Sequence, residues 1–78
     1  MATKTGSNKQ SGVNITVDVD NHGLEANTKV EIAFTSGNAV SGEYTITSVP
    51  TANSFVVVYP FTSTSSGYCS VSNLKKHD

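Results

Sequence analysis

Residues 55–59 of the chain, Phe55-Val56-Val57-Val58-Tyr59, form a continuous apolar run. A run of this length without a polar interruption predicts a strand whose two faces are both covered, which is the central strand of a sheet. Pro60 follows the run directly. Because proline cannot donate a backbone hydrogen bond to a neighbouring strand, we expect the central strand to end there.

Segments on both sides of this run show the alternation of apolar and polar residues that is typical of strands with one buried face. They are Val13–Val19, Lys29–Thr35, Glu43–Val49 and the weaker Tyr68–Ser72. Short stretches rich in Gly, Asn and Ser separate most of them and favour turns. Together with the central run they predict an all-β fold, a small five- to six-stranded antiparallel barrel or sandwich with an extended N-terminal arm.

The composition favours strands over helices. Ser, Thr and Asn make up 28 of the 78 residues, whereas leucine occurs only at Leu24 and Leu74. Thr, Val and Ile suit a pleated strand, and the best helix formers are scarce. No segment of the chain shows helical periodicity.

The two ends of the chain lack the alternation of the middle. We therefore predict a flexible N-terminal arm over residues 1–11, a β-barrel module over residues 12–73 and a polar C-terminal tail over residues 74–78. Within the module, residues 61–67 (FTSTSSG) predict a polar, flexible loop. The chain opens with Met1 and ends in charged residues, so we expect a complete gene product whose arm reaches a neighbouring subunit.

A domain of 78 residues can bury only a small core. Cores of this size supply roughly 3–5 kcal/mol unless a disulfide, a metal or a partner adds to them. Cys69 is the only cysteine, and the two histidines lack zinc-site spacing, so neither a disulfide nor a structural zinc is expected. Oligomerisation remains as the stabiliser, and we expect a homo-oligomer or docking on a larger assembly.

Charge and hydropathy exclude two classes of partner. The chain has five basic and six acidic residues, a net charge of −1 and no arginine. We expect no nucleic-acid partner, because phosphate recognition depends on clustered Lys and Arg. We expect no membrane partner, because no apolar run approaches the roughly 20 residues that span a bilayer. A free thiol without a secretory signal predicts synthesis in a reducing cytoplasm.

His22 is the residue best suited by type to catalysis, with Asp20 as a titratable neighbour. A general base needs a reacting group within reach. The adjacent Gly23 and Leu24 indicate instead a tight corner in which the imidazole binds the backbone. We therefore predict a structural role for His22, and His77 lies in the predicted tail.

The remaining candidate residues also favour structural roles. Asp18 and Asp20 resemble the start of a calcium loop, but no acidic residue stands at the closing position. Cys69 is predicted to be a small buried residue rather than a nucleophile, and Lys75-Lys76 to be solvated. The chain holds no nucleophile-elbow, dinucleotide-binding or Walker-type motif. We expect no catalytic, cofactor-binding or metal-binding residues and no enzymatic activity.

The stretch from Ile15 to Tyr59, about 45 of the 78 residues, resembles a module common in bacteriophage virion and tail-associated proteins. It is also similar to the small β-barrel called the first catalytic-cysteine half-domain of ubiquitin-activating enzymes, which holds no catalytic residue. The residues that carry the resemblance are His22-Gly23-Leu24 at a corner, Val30 and Ile32 in a strand, Ser36-Gly37 and Gly42-Glu43-Tyr44 in the next hairpin, and Phe55 and Val57 in the central strand. The sequence departs from the pattern at Asn27 and Thr28, where glycine and aspartate are usual. Asparagine tolerates positive φ next best after glycine, so we expect the turn to survive.

The resemblance implies a non-enzymatic structural protein of a bacteriophage virion. We expect a head-decoration (cement) protein that is made in the host cytoplasm and stabilises the capsid by binding the major capsid protein between capsomers. The alternatives are a tail, neck or fibre-associated protein. A host-surface glycan-binding module is a further alternative, since Tyr44, Tyr59 and Tyr68 could stack on sugar rings.

Overall fold

The computed structural model of the protein describes residues 3–73, which form four antiparallel strands in one sheet. Strand β1 spans Thr3–Asp18, β2 spans Lys29–Phe34, β3 spans Gly42–Thr51 and β4 spans Ser54–Asn73. The strand order is β1-β4-β2-β3, and β3 also pairs with β4. No helix occurs among the described residues, which confirms the all-β prediction.

Strand β4 is the central strand of the sheet, because it pairs with a strand on each side near both of its ends. Near its start, Val57 lies opposite Ile15 of β1 on one side and Ile46 of β3 on the other. Near its end, Val71 lies opposite Lys4 of β1 and Ile32 of β2. The apolar run that begins at Phe55 is therefore central, as predicted.

The hydrophobic core draws on all four strands and follows the predicted alternation. Its buried members are Ile15, Val17, Val19, Val30, Ile32, Tyr44, Ile46, Phe55, Val57, Cys69 and Val71. Full burial of a Val, Ile or Phe side chain stabilises a fold by roughly 1.5–3 kcal/mol relative to exposure. The second face of the central run is less covered than expected, because Val58 is 44% exposed.

The sheet has fewer strands than the predicted five to six, and it is not a closed barrel. The predicted fifth strand, Tyr68–Ser72, is the end of β4, which continues from the central run through Pro60 instead of ending there. Within residues 3–73, β1 pairs only with β4, so one edge of β1 has no neighbouring strand. Two long strands thus replace several of the short strands that the turn spacing suggested.

The expected arm and the expected loop pair with each other. Thr3–Gly12 lies opposite Ser63–Ser72 without interruption, and we call this paired segment the ribbon. Backbone hydrogen bonds form regardless of side-chain polarity, which is why two stretches without apolar alternation are strands. The ribbon also packs against the end of β1, since Gly6 lies so close to the Asp18 carbonyl that no Cβ would fit. Met1, Ala2 and the predicted tail over residues 74–78 lie outside the described residues.

Candidate docking site

The pairing of β1 with β4 is interrupted by one large bulge. Gly12 lies opposite Ser63 and Asn14 lies opposite Val58, so the β4 residues Tyr59–Thr62 face Val13 alone. A bulge re-aims side chains and tolerates proline, because its residues make no ladder hydrogen bonds. Pro60 therefore sits inside the bulge without ending the strand.

A buried glutamine fixes the shape of this bulge. The Gln10 side chain is 1% exposed, and its Nε2 donates to the Gly12 carbonyl at 3.0 Å and to the Phe61 carbonyl at 3.1 Å. Each such hydrogen bond contributes a net stabilisation of about 0.5–1.5 kcal/mol. Because one amide group holds both strands, the bulge has a defined position relative to β1.

The bulge presents an aromatic side chain to solvent. Phe61 is 69% exposed, and its ring centroid lies 5.7 Å from that of Tyr59. Val40 and Val58 are also largely exposed and line, with Tyr59, a groove beside the bulge. We call Val40, Val58, Tyr59 and Phe61 the docking surface.

A row of aromatic rings connects the docking surface to the core. Ring centroids are 6.4 Å apart between Tyr59 and Tyr44 and 6.0 Å apart between Tyr44 and Phe34. Tyr44 is buried, and its hydroxyl donates to the Val40 carbonyl, which ties the loop before β3 to the sheet. Burial raises the pKa of the Tyr44 hydroxyl, and the neighbouring Tyr59 raises it further. Packed rings of this kind limit the movement of the docking surface.

The groove beside the bulge is lined by both apolar and polar residues. It encloses about 460 Å³ between the segment Val40–Thr45 and the segment Val58–Pro60. Glu43, Thr45 and Thr47 are among its polar lining residues. Protein–protein contacts usually combine apolar and polar residues in this way.

His22 holds the corner that follows β1, as predicted. Its Nδ1 accepts a hydrogen bond from the Leu24 N–H at 2.9 Å, and its Nε2 donates to the Ser54 carbonyl at 3.0 Å. The ring is buried and packs edge-on against Phe55, with the centroids 5.4 Å apart. Gly23 has a φ of 66°, which fits the tight corner. The imidazole thus fastens the corner to the start of β4.

The acidic residues near this corner do not assemble into a cage. Asp18 and Asp20 are both exposed. Among residues 3–73, no three His, Cys, Asp or Glu side chains converge to hold a metal ion. Lys75, Lys76 and His77, for which the sequence predicted solvated or tail positions, lie outside the described residues.

Cys69 is buried in the ribbon, as predicted, where it contacts Asn8. Burial raises the pKa of the Cys69 thiol, a hydrogen bond from the Asn8 side chain lowers it, and the charge of Asp18 raises it. The Asn8 amide is itself buried, and neither of its polar atoms has a partner of ordinary hydrogen-bond geometry among the described residues. A buried thiol that stays protonated is a poor nucleophile.

The three tyrosines considered for glycan binding do not share one platform. Tyr44 is buried and Tyr59 is half-buried in the aromatic row. Tyr68 is 68% exposed and lines a different groove, which also includes Lys4 and Ser70. Stacking on a sugar requires exposed ring faces on one surface, and the structure does not bring these three together.

Three residues of the docking site, Gln10, Val40 and Phe61, were not singled out from the sequence. Gln10 lay in the predicted arm, where no local pattern marks it as buried. Phe61 offers a clearer signal, because it is an aromatic residue directly after Pro60 at the start of a polar stretch. That combination is typical of a bulge that displays a side chain.

The comparisons with known proteins identify no relative of this chain. No family model matches the chain, and neither a curated protein nor a solved structure matches it at a significant level. The described residues include no helix long and apolar enough to cross a membrane.

Proposed function

We propose that the protein is a non-enzymatic structural component of a bacteriophage particle that attaches through its docking surface. Its place is on the head, where it acts as a decoration protein that binds the major capsid protein between capsomers. The resemblance of residues 15–59 to virion modules supports the phage assignment. A position on the tail, neck or fibre is the alternative within the same class.

The observation that carries the proposal is the exposed Phe61 on a bulge fixed by Gln10. An aromatic side chain that is 69% exposed gains hydrophobic free energy when a partner covers it. Its support is already ordered by the two hydrogen bonds from Gln10, so little conformational entropy is lost on binding. Rigid, central aromatic residues of this kind supply most of the binding free energy of many interfaces.

Attachment would also supply the stability that a small core lacks. A domain of 78 residues exposes a large share of its surface. Binding to the folded state alone stabilises that state by mass action. The same reasoning supports the expected homo-oligomer when several copies occupy adjacent sites on a capsid.

Particle loading tests the proposal. Purified protein is mixed with bacteriophage particles that lack it, and bound protein is measured after sedimentation. We expect wild-type protein to load and Phe61→Asp to lose affinity by at least about thirtyfold, the effect typical of an interface hot spot. Tyr68→Asp is the matched control, because Tyr68 is as exposed as Phe61 and lines a different groove.

Each result of this experiment has a defined meaning. Loading of Tyr68→Asp but not of Phe61→Asp supports attachment through the docking surface. Equal loading of Phe61→Asp and wild type contradicts it. Loading on isolated tails but not on heads would replace the head assignment by the tail alternative.

A further inference from the structure

The first strand of the ribbon contributes no side chain to the hydrophobic core. Residues Thr3–Ser11, which we call the strap, pair with Thr64–Ser72 of β4. None of the buried core side chains comes from the strap, and its buried side chains are the amides of Asn8 and Gln10. Segments with few buried apolar contacts open at a lower free energy than the rest of a fold. The strap can therefore leave the sheet without unfolding of the core.

The buried amide of Asn8 favours release of the strap. The Asn8 side chain is 3% exposed, and neither of its polar atoms has a hydrogen-bond partner of ordinary geometry among the described residues. A buried polar group without a partner loses the hydrogen bonds that water would give it. Because release of the strap would hydrate this amide, the paired position of the strap is less stable than its backbone hydrogen bonds alone would make it.

Gly12 is placed to act as the hinge of the strap. It follows the strap directly and has a φ of 66°, in the left-handed region that glycine adopts without strain. A Cβ at this position would meet no atom within 4 Å, so Gly12 lies next to open space. The bulge begins at the next residue, Val13, which alone faces Tyr59–Thr62. Rotation at Gly12 would thus move the strap while Asn14–Asp18 stays paired with Ser54–Val58.

The site that the strap fills is selective for sequence. Gly6 lies so close to the Asp18 carbonyl that no Cβ would fit at this register position. Gln10, four residues later, donates to the Phe61 carbonyl at 3.1 Å. An occupant that fits therefore has a glycine and, four residues on, a glutamine. A second copy of the strap has both residues at this spacing and reproduces every contact of the first.

We infer that the strap is exchanged between copies of the chain, so that the strap of one copy pairs with Thr64–Ser72 of another. Exchange of an identical element replaces each contact within a subunit by the same contact between subunits, which makes it a low-cost route to an oligomer. The copies linked in this way would form the expected homo-oligomer. The inference rests on the strap and its site alone, so a failure of particle loading through Phe61 leaves it standing.

Disulfide trapping between two full-length variants tests the exchange. Thr5 lies opposite Ser70 in the ladder, and directly opposed residues of antiparallel strands are close enough for a disulfide. Thr5→Cys and Ser70→Cys are prepared separately, each with Cys69→Ala to remove the native thiol, and are mixed in the presence of glutathione disulfide. Electrophoresis without a reductant then measures how fast a mixed dimer forms.

A matched pair of variants accounts for chance collisions. Thr45→Cys, also with Cys69→Ala, places an exposed thiol on β3, which does not pair with the strap. We expect Thr5→Cys to form a mixed dimer with Ser70→Cys at least about tenfold faster than with Thr45→Cys, because exchange holds the first two thiols together. Circular dichroism verifies that all three variants are folded.

Two substitutions within the strap separate the effect of the buried amide from strand propensity. Asn8→Val and Ser11→Val both introduce a residue that favours strands, but only Asn8→Val removes the amide without a partner, since Ser11 is exposed. Added to the Thr5→Cys variant, Asn8→Val should slow formation of the mixed dimer on the order of fivefold relative to Ser11→Val.

The urea dependence of the rate separates release of the strap from complete unfolding. The effect of urea on a conformational change scales with the surface that the change exposes. Release of the strap exposes little surface, so low urea concentrations should alter the rate of mixed-dimer formation only slightly.

The inference would be overturned by any one of three results. The first is that Thr5→Cys reacts with Ser70→Cys no faster than with Thr45→Cys. The second is that Asn8→Val exchanges as fast as Ser11→Val. The third is a rate that rises with urea as steeply as global unfolding does, since exchange would then proceed through the unfolded chain.

Discussion

The buried amide of Gln10 in β1 donates a hydrogen bond to the carbonyl oxygen of Phe61 in β4, 51 residues later in the chain. One side chain thereby joins the polar ribbon to the bulge and sets the direction in which Phe61 faces solvent. The ribbon and the docking surface are coupled through this contact. Loss of the amide should therefore affect both stability and attachment.

Replacement of Gln10 tests this coupling. Gln10→Ala removes both donors to the Gly12 and Phe61 carbonyls, and we expect the free energy of unfolding to fall by about 1–3 kcal/mol. Loading on bacteriophage particles should also weaken, because Phe61 loses its fixed support. Urea denaturation measures the first effect, with the exposed neighbour substitution Ser11→Ala as control. A loss no greater than that of Ser11→Ala would show that Gln10 does not hold the bulge.

Phe55 tests the position of the core. Its side chain is completely buried and packs against His22. Phe55→Ala should reduce the free energy of unfolding by about 3–5 kcal/mol, which nearly exhausts the stability of a domain this small. Val58→Ala, at a largely exposed site in the same strand, should change it by less than about 0.5 kcal/mol. Similar melting temperatures for Phe55→Ala and wild type would mean that the core lies elsewhere.

Substitutions at Gly23 and Asn27 test the backbone conformation of the corner between β1 and β2. Gly23 has a φ of 66° and Asn27 a φ of 71°, so both occupy the left-handed region, which fits the tight corner at Gly23 and the turn that Asn27 was expected to preserve. No neighbouring atom would obstruct a Cβ at Gly23, so Gly23→Val should destabilise through backbone strain of at least about 1–2 kcal/mol. Asn27→Gly should be neutral or slightly stabilising. Thermal unfolding checks both variants, and a Gly23→Val protein as stable as wild type would refute the assigned corner.

Alkaline pH should destabilise the fold. The pKa of the Cys69 thiol is raised from its ordinary value of 9.0 and that of the Tyr44 hydroxyl from 10.0, chiefly by burial. The folded state therefore binds these two protons more tightly than the unfolded chain does. The resulting stability is complete at pH values below the ordinary pKa values, and it is lost as the pH rises through the raised pKa values of the folded state. We expect a lower free energy of unfolding at about pH 10 than at about pH 8.

The cysteine part of this effect can be separated. Cys69→Ala should show a smaller decline with rising pH, because only Tyr44 then contributes. Iodoacetamide should modify Cys69 slowly in the folded protein and rapidly in urea. Equal modification rates in both states would show that the thiol is exposed.

The sequence predicts the parts of the fold that bury apolar side chains. The alternation in Lys29–Thr35 and Glu43–Val49 corresponds to β2 and β3, and the apolar run from Phe55 lies at the centre of the sheet. His22 could be assigned to a structural corner because its neighbours are turn formers. These features are encoded by neighbouring residues, so a local pattern is sufficient to find them.

The ribbon and the bulge could not be predicted in the same way. Thr3–Gly12 is polar throughout, and its strand conformation depends on pairing with Ser63–Ser72, far away in the sequence. Pro60 was expected to end a strand, yet the strand continues because Pro60 lies in a bulge whose residues have no ladder partners. Gln10 fixes that bulge by donating to the Phe61 carbonyl. Long-range partners of this kind leave no periodic signal.

Cryo-electron microscopy of the intact bacteriophage particle that carries this gene tests the virion assignment most directly. We expect density for the four-stranded sheet on the head surface between capsomers, with Phe61 in contact with the major capsid protein. Density on the tail, neck or fibre would retain the virion role and shift its place. Purified, infectious particles that contain neither this density nor the chain itself would contradict a structural role in the virion.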